Sequence, residues 1–130
     1  MQPLQRENIR LAATVMIVRD TANGLEVYMV KRPGKGDFPD LYVFPGGKVD
    51  EEDWQPDLCP DMYDKDASVR LGIDAGALRS WIAVARECFE EVGVLLARDT
   101  QGIHVPDAGQ RAIQANLRSK LLAGEMSWAE

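Results

Sequence analysis

The sequence has few of the residues on which several classes of protein depend. Its 130 residues include two cysteines and one histidine, which excludes a disulfide framework and a multi-histidine metal site. No apolar run approaches the roughly 20 residues of a membrane helix, so no membrane partner is expected. The first ten residues are polar and include Pro3, so a secretory signal peptide is not expected. This cysteine usage is typical of a reducing compartment and predicts a cytoplasmic protein.

Positive charge is also scarce. Lysine and arginine total 15 against 21 acidic residues, a formal net charge of −6. Proteins that bind duplex nucleic acid normally carry a basic surface, so no nucleic-acid partner is expected. Carboxylates are abundant, and carboxylate oxygens are the ligands that hard cations such as Mg²⁺ prefer. The composition indicates one globular domain, 1–130, and is compatible with a cation site made of carboxylates.

Local patterns predict several short strands. Asn23-Gly24 is a strong turn signal, and it predicts a hairpin between a buried strand at 11–18 and a second strand at 25–31. Residues 42–44 are predicted to form a short strand that ends at Pro45-Gly46-Gly47. Residues 94–97 are predicted to form another strand, followed by a turn at 99–102.

Two long helices are predicted, at 75–92 and at 107–123. The first begins after Asp74, a plausible N-cap, and ends at Gly93. The second is predicted from apolar residues at helical spacing, with Gly124 at its end. The apolar residues of this second helix are Ile113, Leu117 and Leu121.

The remaining segments show little periodicity. Residues 54–74 are predicted to be an irregular insertion with one short helix near 67–71, and the aspartates at 61, 64 and 66 are expected to be solvated. Residues 125–130 are predicted to open a further element. His104 is expected in an exposed loop, and Phe38 is expected to pack or to stack on a base.

The helix at 75–92 has two contrasting faces. Three glutamates at spacings i, i+3 and i+4 share one face: Glu87, Glu90 and Glu91. Like charges at this spacing cost about 0.2–0.5 kcal/mol per pair, and the C-terminal end of a helix disfavours anions. A bound cation would remove both penalties, so these glutamates are candidate Mg²⁺ or Mn²⁺ ligands, the alternative being a solvated acidic face. The opposite, core-facing arc is predicted to contain Leu78, Trp81, Ile82, Ala85, Phe89 and Val92.

The residues 86–94, RECFEEVGV, resemble the second half of the Nudix box, R-E-U-x-E-E-x-G-U, where U is bulky and apolar. Residues 44–49, FPGGKV, resemble the strand and glycine turn before that box, and Asp53 stands where the family has its first glutamate. The two halves are separated by the 32 residues 54–85, a much longer spacer than usual. A box split in this way is similar to the coenzyme A diphosphatase branch.

The resemblance implies an α/β (α+β) fold with a mixed sheet between helices, and an insertion at about 54–77 inside the box. Only 36 residues follow Val94, so the domain is expected to be incomplete at its C-terminus, where a homodimer could cover open strand edges. The implied activity is metal-dependent hydrolysis of a diphosphate linkage in a nucleoside diphosphate joined to another moiety. Coenzyme A or acyl-CoA is the substrate suggested by the branch.

The resemblance also implies residue roles. Glu90 and Glu91 would be metal ligands, and Glu87 a third ligand or the base acting on water. Arg86 would orient a glutamate, with a plain ion pair to Glu90 as the alternative. Expected substrate contacts are Arg32, Lys48, Gly46 and Gly47, with the Gly46 carbonyl as a further candidate ligand. For Arg32 and Lys48 the alternative is a solvated surface charge. Two alternatives stay open: a Nudix hydrolase of a dinucleotide, nucleotide sugar or nucleoside triphosphate, and a nucleotide-binding Nudix module without catalysis.

Overall fold

Short antiparallel strands and three helices make up the part of this computed structural model that is described, residues 10–35, 39–99, 101–103 and 106–130. The predicted α+β class is confirmed. Two short 3-10 turns precede the first helix, at Glu51–Asp53 and Pro56–Leu58. The strands are β1 Ala12–Thr14, β2 Val18–Thr21, β3 Gly24–Val27, β4 Val30–Lys31, β5 Tyr42–Val43, β6 Gly46–Lys48, β7 Arg98–Asp99 and β8 Gly102–Ile103. The helices are α1 Asp64–Leu71, α2 Ala77–Val92 and α3 Ala108–Leu122. His104 and Phe38 lie outside the described residues.

The described strands form four antiparallel pairs, β1 with β6, β2 with β3, β4 with β5 and β7 with β8, rather than one mixed sheet. A β2–β3 hairpin forms at the predicted turn signal, but its two turn residues are Ala22 and Asn23, one position earlier than predicted. Gly24 begins β3 opposite Thr21, with a φ of 109° that suits glycine. The predicted buried strand at 11–18 is instead divided into β1 and β2, which pair with different partners and are mostly exposed.

The β1–β6 pair extends one residue beyond each end of its ladder. The Val15 amide donates to the Pro45 carbonyl and the Val49 amide donates to the Leu11 carbonyl, both at 2.9 Å. Gly46 and Gly47, which were predicted to end the preceding strand, therefore belong to a strand of their own, Gly46–Lys48. This pairing places the two glycines of β6 beneath α2.

The N-terminus of α2 is capped differently from the prediction. Gly76, not Asp74, is the N-cap residue, and it has a left-handed φ of 86°. Asp64 of α1 supplies the missing acceptor, because its carboxylate accepts from the Gly76 and Leu78 amides at 2.8 and 2.9 Å. These two hydrogen bonds lower the pKa of Asp64. The expectation that Asp64 is solvated is therefore wrong.

The insertion contributes to the main apolar cluster. Ala67 of α1 packs with Ala77, Leu78 and Ile82 of α2, and burial of a leucine or isoleucine side chain is worth about 1.5–3 kcal/mol. Trp81, predicted to face the core, is 37% exposed. Two buried residues of α2, Ala83 and Cys88, were not part of the predicted core-facing arc.

The chain after α2 also departs from the predictions. Residues 94–97 form no strand, because the Ala97 amide bonds back to the Leu95 carbonyl at 3.0 Å in a tight turn. The predicted turn near 99–102 does connect β7 and β8. Residues 125–130 form turns instead of opening a helix or strand, and Trp128 packs on Phe89 with ring centroids 6.0 Å apart.

Helix α3 begins and ends close to the predicted positions. Asp107 caps its N-terminus, since the Asp107 carboxylate accepts from the Gln110 amide while the Gln110 side chain accepts from the Asp107 amide. Its docking face differs from the predicted apolar stripe, because Ile113 and Leu117 are exposed. The partly buried positions along the helix are Gln114, Arg118 and Leu121.

Candidate functional site

The two glycines of β6 bring backbone directly against the acidic face of α2. Gly46 has a φ of 150°, and a Cβ there would overlap the Ala13 carbonyl of the neighbouring strand. A Cβ on Gly47 would overlap the Glu87 carboxylate. The Gly46 amide donates to the Glu91 carboxylate at 3.2 Å. A side chain at position 46 would therefore collide with the backbone of β1, and one at position 47 would require the Glu87 carboxylate to move.

Arg86 connects the two separated parts of the motif. Its guanidinium donates in a bidentate pair to Asp53, with Nε–Oδ1 at 2.7 Å and Nη2–Oδ2 at 3.0 Å. The same group donates to the Lys48 carbonyl at 3.0 Å. Asp53 is 1% exposed, and the Arg86 side chain is 12% exposed. A bidentate pair at this burial holds the 3-10 turn, β6 and α2 in one arrangement.

The third guanidinium nitrogen of Arg86 gathers two of the glutamates. Arg86 Nη1 donates to Glu87 Oε1 at 3.1 Å and to Glu90 Oε2 at 3.3 Å. Both carboxylates therefore lie beside one cationic nitrogen. The hydrogen bond with Asp53, opposed by burial, raises the pKa of Arg86, so the guanidinium stays charged at every pH of interest.

Glu87 occupies the most confined position of the three glutamates. Burial raises the pKa of its carboxyl, the attraction of Arg86 lowers it, and the neighbouring charges of Glu90 and Glu91 raise it further. The net effect is a raised pKa. Ionised Glu87 is thus under-compensated, which is the situation that an added cation would relieve.

These residues fit a divalent cation by their chemistry. Three carboxylates share one helix face: Glu87 lies against Gly47, Glu91 accepts from the Gly46 amide, and Glu90 lies beside Arg86. Hard oxygen ligands of this kind suit Mg²⁺ or Mn²⁺. Within 10–35, 39–99, 101–103 and 106–130, no three Asp, Glu, His or Cys side chains are already grouped for a metal. In the observed arrangement Glu87 and Glu90 are bonded to Arg86, so coordination would require their side chains to turn.

An open cavity of about 520 Å³ lies beside this cluster. Arg86 and Glu90 line one side of it, with carboxylates of the 3-10 turn region. The end of α3 and the C-terminal turns also line it. Further lining residues are Asp50, Asp53, Leu121, Met126 and Trp128. Of the three glutamates, Glu90 lines this cavity, whose volume is large enough for a ligand of small-molecule size.

The predicted site residues are brought together with one exception. Arg86, the three glutamates and the two glycines all meet at the β6–α2 contact. Lys48 contributes its carbonyl to Arg86, while its ammonium pairs with Asp50 at 2.7 Å. Arg32 is exposed and follows β4, which pairs with β5, and the hydrogen bonds described for Arg86 are made with other elements.

Two residues that the sequence analysis did not place in the site are part of it. Asp53 was noted only as a substitute for a family glutamate, and it proves to be the main partner of Arg86. Arg118 of α3 donates to carbonyls at the end of α2. The motif position of Asp53 offered a signal for the first, whereas nothing local marks Arg118.

Cys88 lies on α2 between the glutamates and is fully buried. Burial, and secondly the charge of Glu91, raises the pKa of its thiol, so the reactive thiolate is disfavoured. None of the helices in the described ranges has the length and apolar character needed to span a bilayer. A scan of family models, a search of curated proteins and a search of solved structures each found no significant match to this chain.

Proposed function

We propose that this chain is a Nudix-type hydrolase, which splits the diphosphate linkage of a nucleotide with the help of Mg²⁺ or Mn²⁺. One observation carries the proposal: residues 33 positions apart in sequence, Asp53 and Arg86, form a buried bidentate pair beside Glu87 and Glu90. The two halves of the motif therefore meet in space across the long insertion. An acidic face that served only solubility would need neither this pair nor the glycines beneath it.

The charges of the site explain why a cation is proposed. A diphosphate is strongly negative, and the face it would approach contains three carboxylates in a protein of net charge −6. A divalent ion there would neutralise charge on both partners and would activate water for attack on phosphorus. Glu90 and Glu91 are proposed as ligands, and Glu87 as a third ligand or as the base that takes a proton from water.

The glycines are proposed to let phosphate oxygens approach the backbone of β6. Lys48, which is exposed and one residue beyond them, is proposed to reach a phosphate when it leaves Asp50. In the reaction, the oxygen of water bonds to one phosphorus as the bridging P–O bond breaks. The products are two phosphomonoesters, and the proton lost by water leaves through a carboxylate.

The substrate class follows from the split form of the motif. We propose coenzyme A or an acyl-CoA, whose diphosphate joins an adenosine nucleotide to a pantetheine arm. The lining of the cavity beside Arg86 includes Leu121, Met126 and Trp128, which could contact the arm of such a molecule. The proposal for this substrate is separate from the proposal for the reaction, and one experiment can test both.

That experiment separates products by anion-exchange chromatography after incubation with Mg²⁺ or Mn²⁺. The substrates are CoA, acetyl-CoA, NADH, ADP-ribose and a nucleotide sugar. We expect pairs of phosphomonoesters from CoA and acetyl-CoA, and a loss of at least 100-fold in Glu90→Gln, since a metal ligand is removed. The matched control is Glu26→Gln, because Glu26 is exposed on the β2–β3 hairpin and pairs only with exposed Arg19 among its described contacts.

The outcomes separate the alternatives. Turnover of another substrate in place of CoA would keep the reaction and replace the substrate. Binding of nucleotides in the presence of Mg²⁺ without any turnover would favour a recognition module. Equal turnover by Glu90→Gln and Glu26→Gln would contradict the proposed role of the acidic face. A Glu87→Gln variant that keeps its metal affinity and loses turnover would make Glu87 the base.

A further inference from the structure

Arg118 of α3 holds the last turn of α2 through four hydrogen bonds. Its Nε donates to the carbonyls of Phe89 and Glu90 at 3.0 and 2.9 Å. Its Nη2 donates to the carbonyls of Glu90 and Glu91 at 2.7 and 3.0 Å. Three consecutive backbone carbonyls, two of them belonging to candidate metal ligands, therefore converge on one guanidinium.

The position is one where a helix needs such a partner. The last four carbonyls of an α-helix receive no hydrogen bond from an amide of the same helix, and the C-terminal end of the helix carries partial negative charge. Gly93, with a φ of 72°, ends α2, and its amide satisfies only the Phe89 carbonyl at 2.9 Å. The acidic side chains of this turn add further negative charge. A planar guanidinium supplies both several donors and a compensating positive charge.

We propose that Arg118 is a positioning residue for the metal-binding glutamates, an inference that rests on the proposed function. By fixing the carbonyls of Glu90 and Glu91, it fixes the backbone from which their side chains project towards β6. The Glu91 carboxylate then meets the Gly46 amide. Arg118 itself contacts neither substrate nor cation, and it acts only through the geometry of the last turn.

The docking of α3 supports this role. Its predicted apolar residues Ile113 and Leu117 are exposed, whereas Arg118 is partly buried on the side that faces α2. Leu121, the third predicted apolar residue, is partly buried, and the contact between the two helices also includes the hydrogen bonds from Arg118 to the α2 backbone.

The test compares Arg118→Met and Arg118→Lys with a matched arginine on the same helix. Arg111 is exposed and donates to the Pro106 carbonyl at 2.7 Å, so Arg111→Met is the control. Titration calorimetry with Mn²⁺ alone measures the dissociation constant. We expect it to rise about 10- to 100-fold in Arg118→Met, the range typical when a residue that orients a ligand is removed. The dissociation constant of Arg118→Lys should lie between those of Arg118→Met and the unmodified chain, because an ammonium group cannot reproduce the paired donors of a guanidinium. Arg111→Met should match the unmodified chain.

A second readout follows the backbone directly. Amide hydrogen exchange at 91–93 should accelerate in Arg118→Met, and the Gly46 amide resonance should shift in the same direction as in Glu91→Ala. Unchanged Mn²⁺ affinity in Arg118→Met, or equal weakening in Arg111→Met, would overturn the inference. If Arg118→Met does not fold, Arg118→Lys decides: a Mn²⁺ affinity equal to that of the unmodified chain would overturn it. An unmodified chain that binds Mn²⁺ but hydrolyses nothing would contradict the proposed function alone.

Discussion

The buried pair between Asp53 and Arg86 gives the sharpest prediction for stability. Asp53→Asn keeps the shape of the side chain but removes the charge that Arg86 faces at 2.7 and 3.0 Å. Removal of one partner of a buried ion pair costs about 3–5 kcal/mol. Arg86 retains the Lys48 carbonyl and the carboxylates of Glu87 and Glu90, so we expect the lower end, about 3 kcal/mol.

Urea unfolding followed by circular dichroism measures this loss. With a slope of about 1–3 kcal/mol per molar urea, the midpoint of Asp53→Asn should fall by about 1–3 M. The matched control is Asp61→Asn, which breaks an ion pair to Arg98 of 2.9 Å whose side chains are 62% and 65% exposed. That change should cost about 0–1 kcal/mol. Equal midpoints for the two variants would refute the reasoning that burial makes the Asp53 pair structurally important.

Three further predictions concern the acidic face. Gly47→Ala should push the Glu87 carboxylate aside and lower the free energy of unfolding by about 1–3 kcal/mol. The control, Gly109→Ala inside α3, should be neutral or stabilise by up to about 1 kcal/mol. Equal changes of the urea midpoint in the two variants would contradict this. Burial raises the pKa of Glu87, so the folded state binds that proton more tightly than the unfolded chain. The metal-free protein should therefore lose stability as pH rises from the ordinary glutamate pKa through the raised one, and Glu87→Gln should lack this decline in urea midpoints. Saturating Mn²⁺, at about 100 times its dissociation constant, should stabilise the unmodified protein by about 2.7 kcal/mol and Glu90→Gln by much less, and a thermal shift of the same size in both would count against the site.

Features encoded by neighbouring residues could be predicted from the sequence. The hairpin beside Asn23-Gly24, the long helix that stops at Gly93 and the approximate bounds of α3 all depend on local backbone preference and on spacing. The grouping of Glu87, Glu90 and Glu91 on one face follows from helical geometry alone. These elements needed no knowledge of what packs against them.

Features that depend on distant partners could not be predicted in the same way. The α2 N-terminus is capped by Asp64 from another helix, and the carbonyls at its end are held by Arg118 from a third. Neither contact leaves a local pattern. The division of residues 11–18 into two strands also depends on β6 and β3, which lie far along the chain or across a turn. Tertiary context decided each of these cases.

The direct test of the central proposal is a crystal structure of the protein with Mn²⁺ and a non-hydrolysable diphosphate nucleotide, measured for anomalous scattering. The proposal predicts a Mn²⁺ peak bound by carboxylate oxygens of Glu90 and Glu91, and the phosphates beside Gly46 and Gly47. Glu87 and Glu90 should have turned from Arg86, which should keep its pair with Asp53. A nucleotide bound elsewhere, with no peak at the acidic face and with Glu87 and Glu90 still bonded to Arg86, would contradict it.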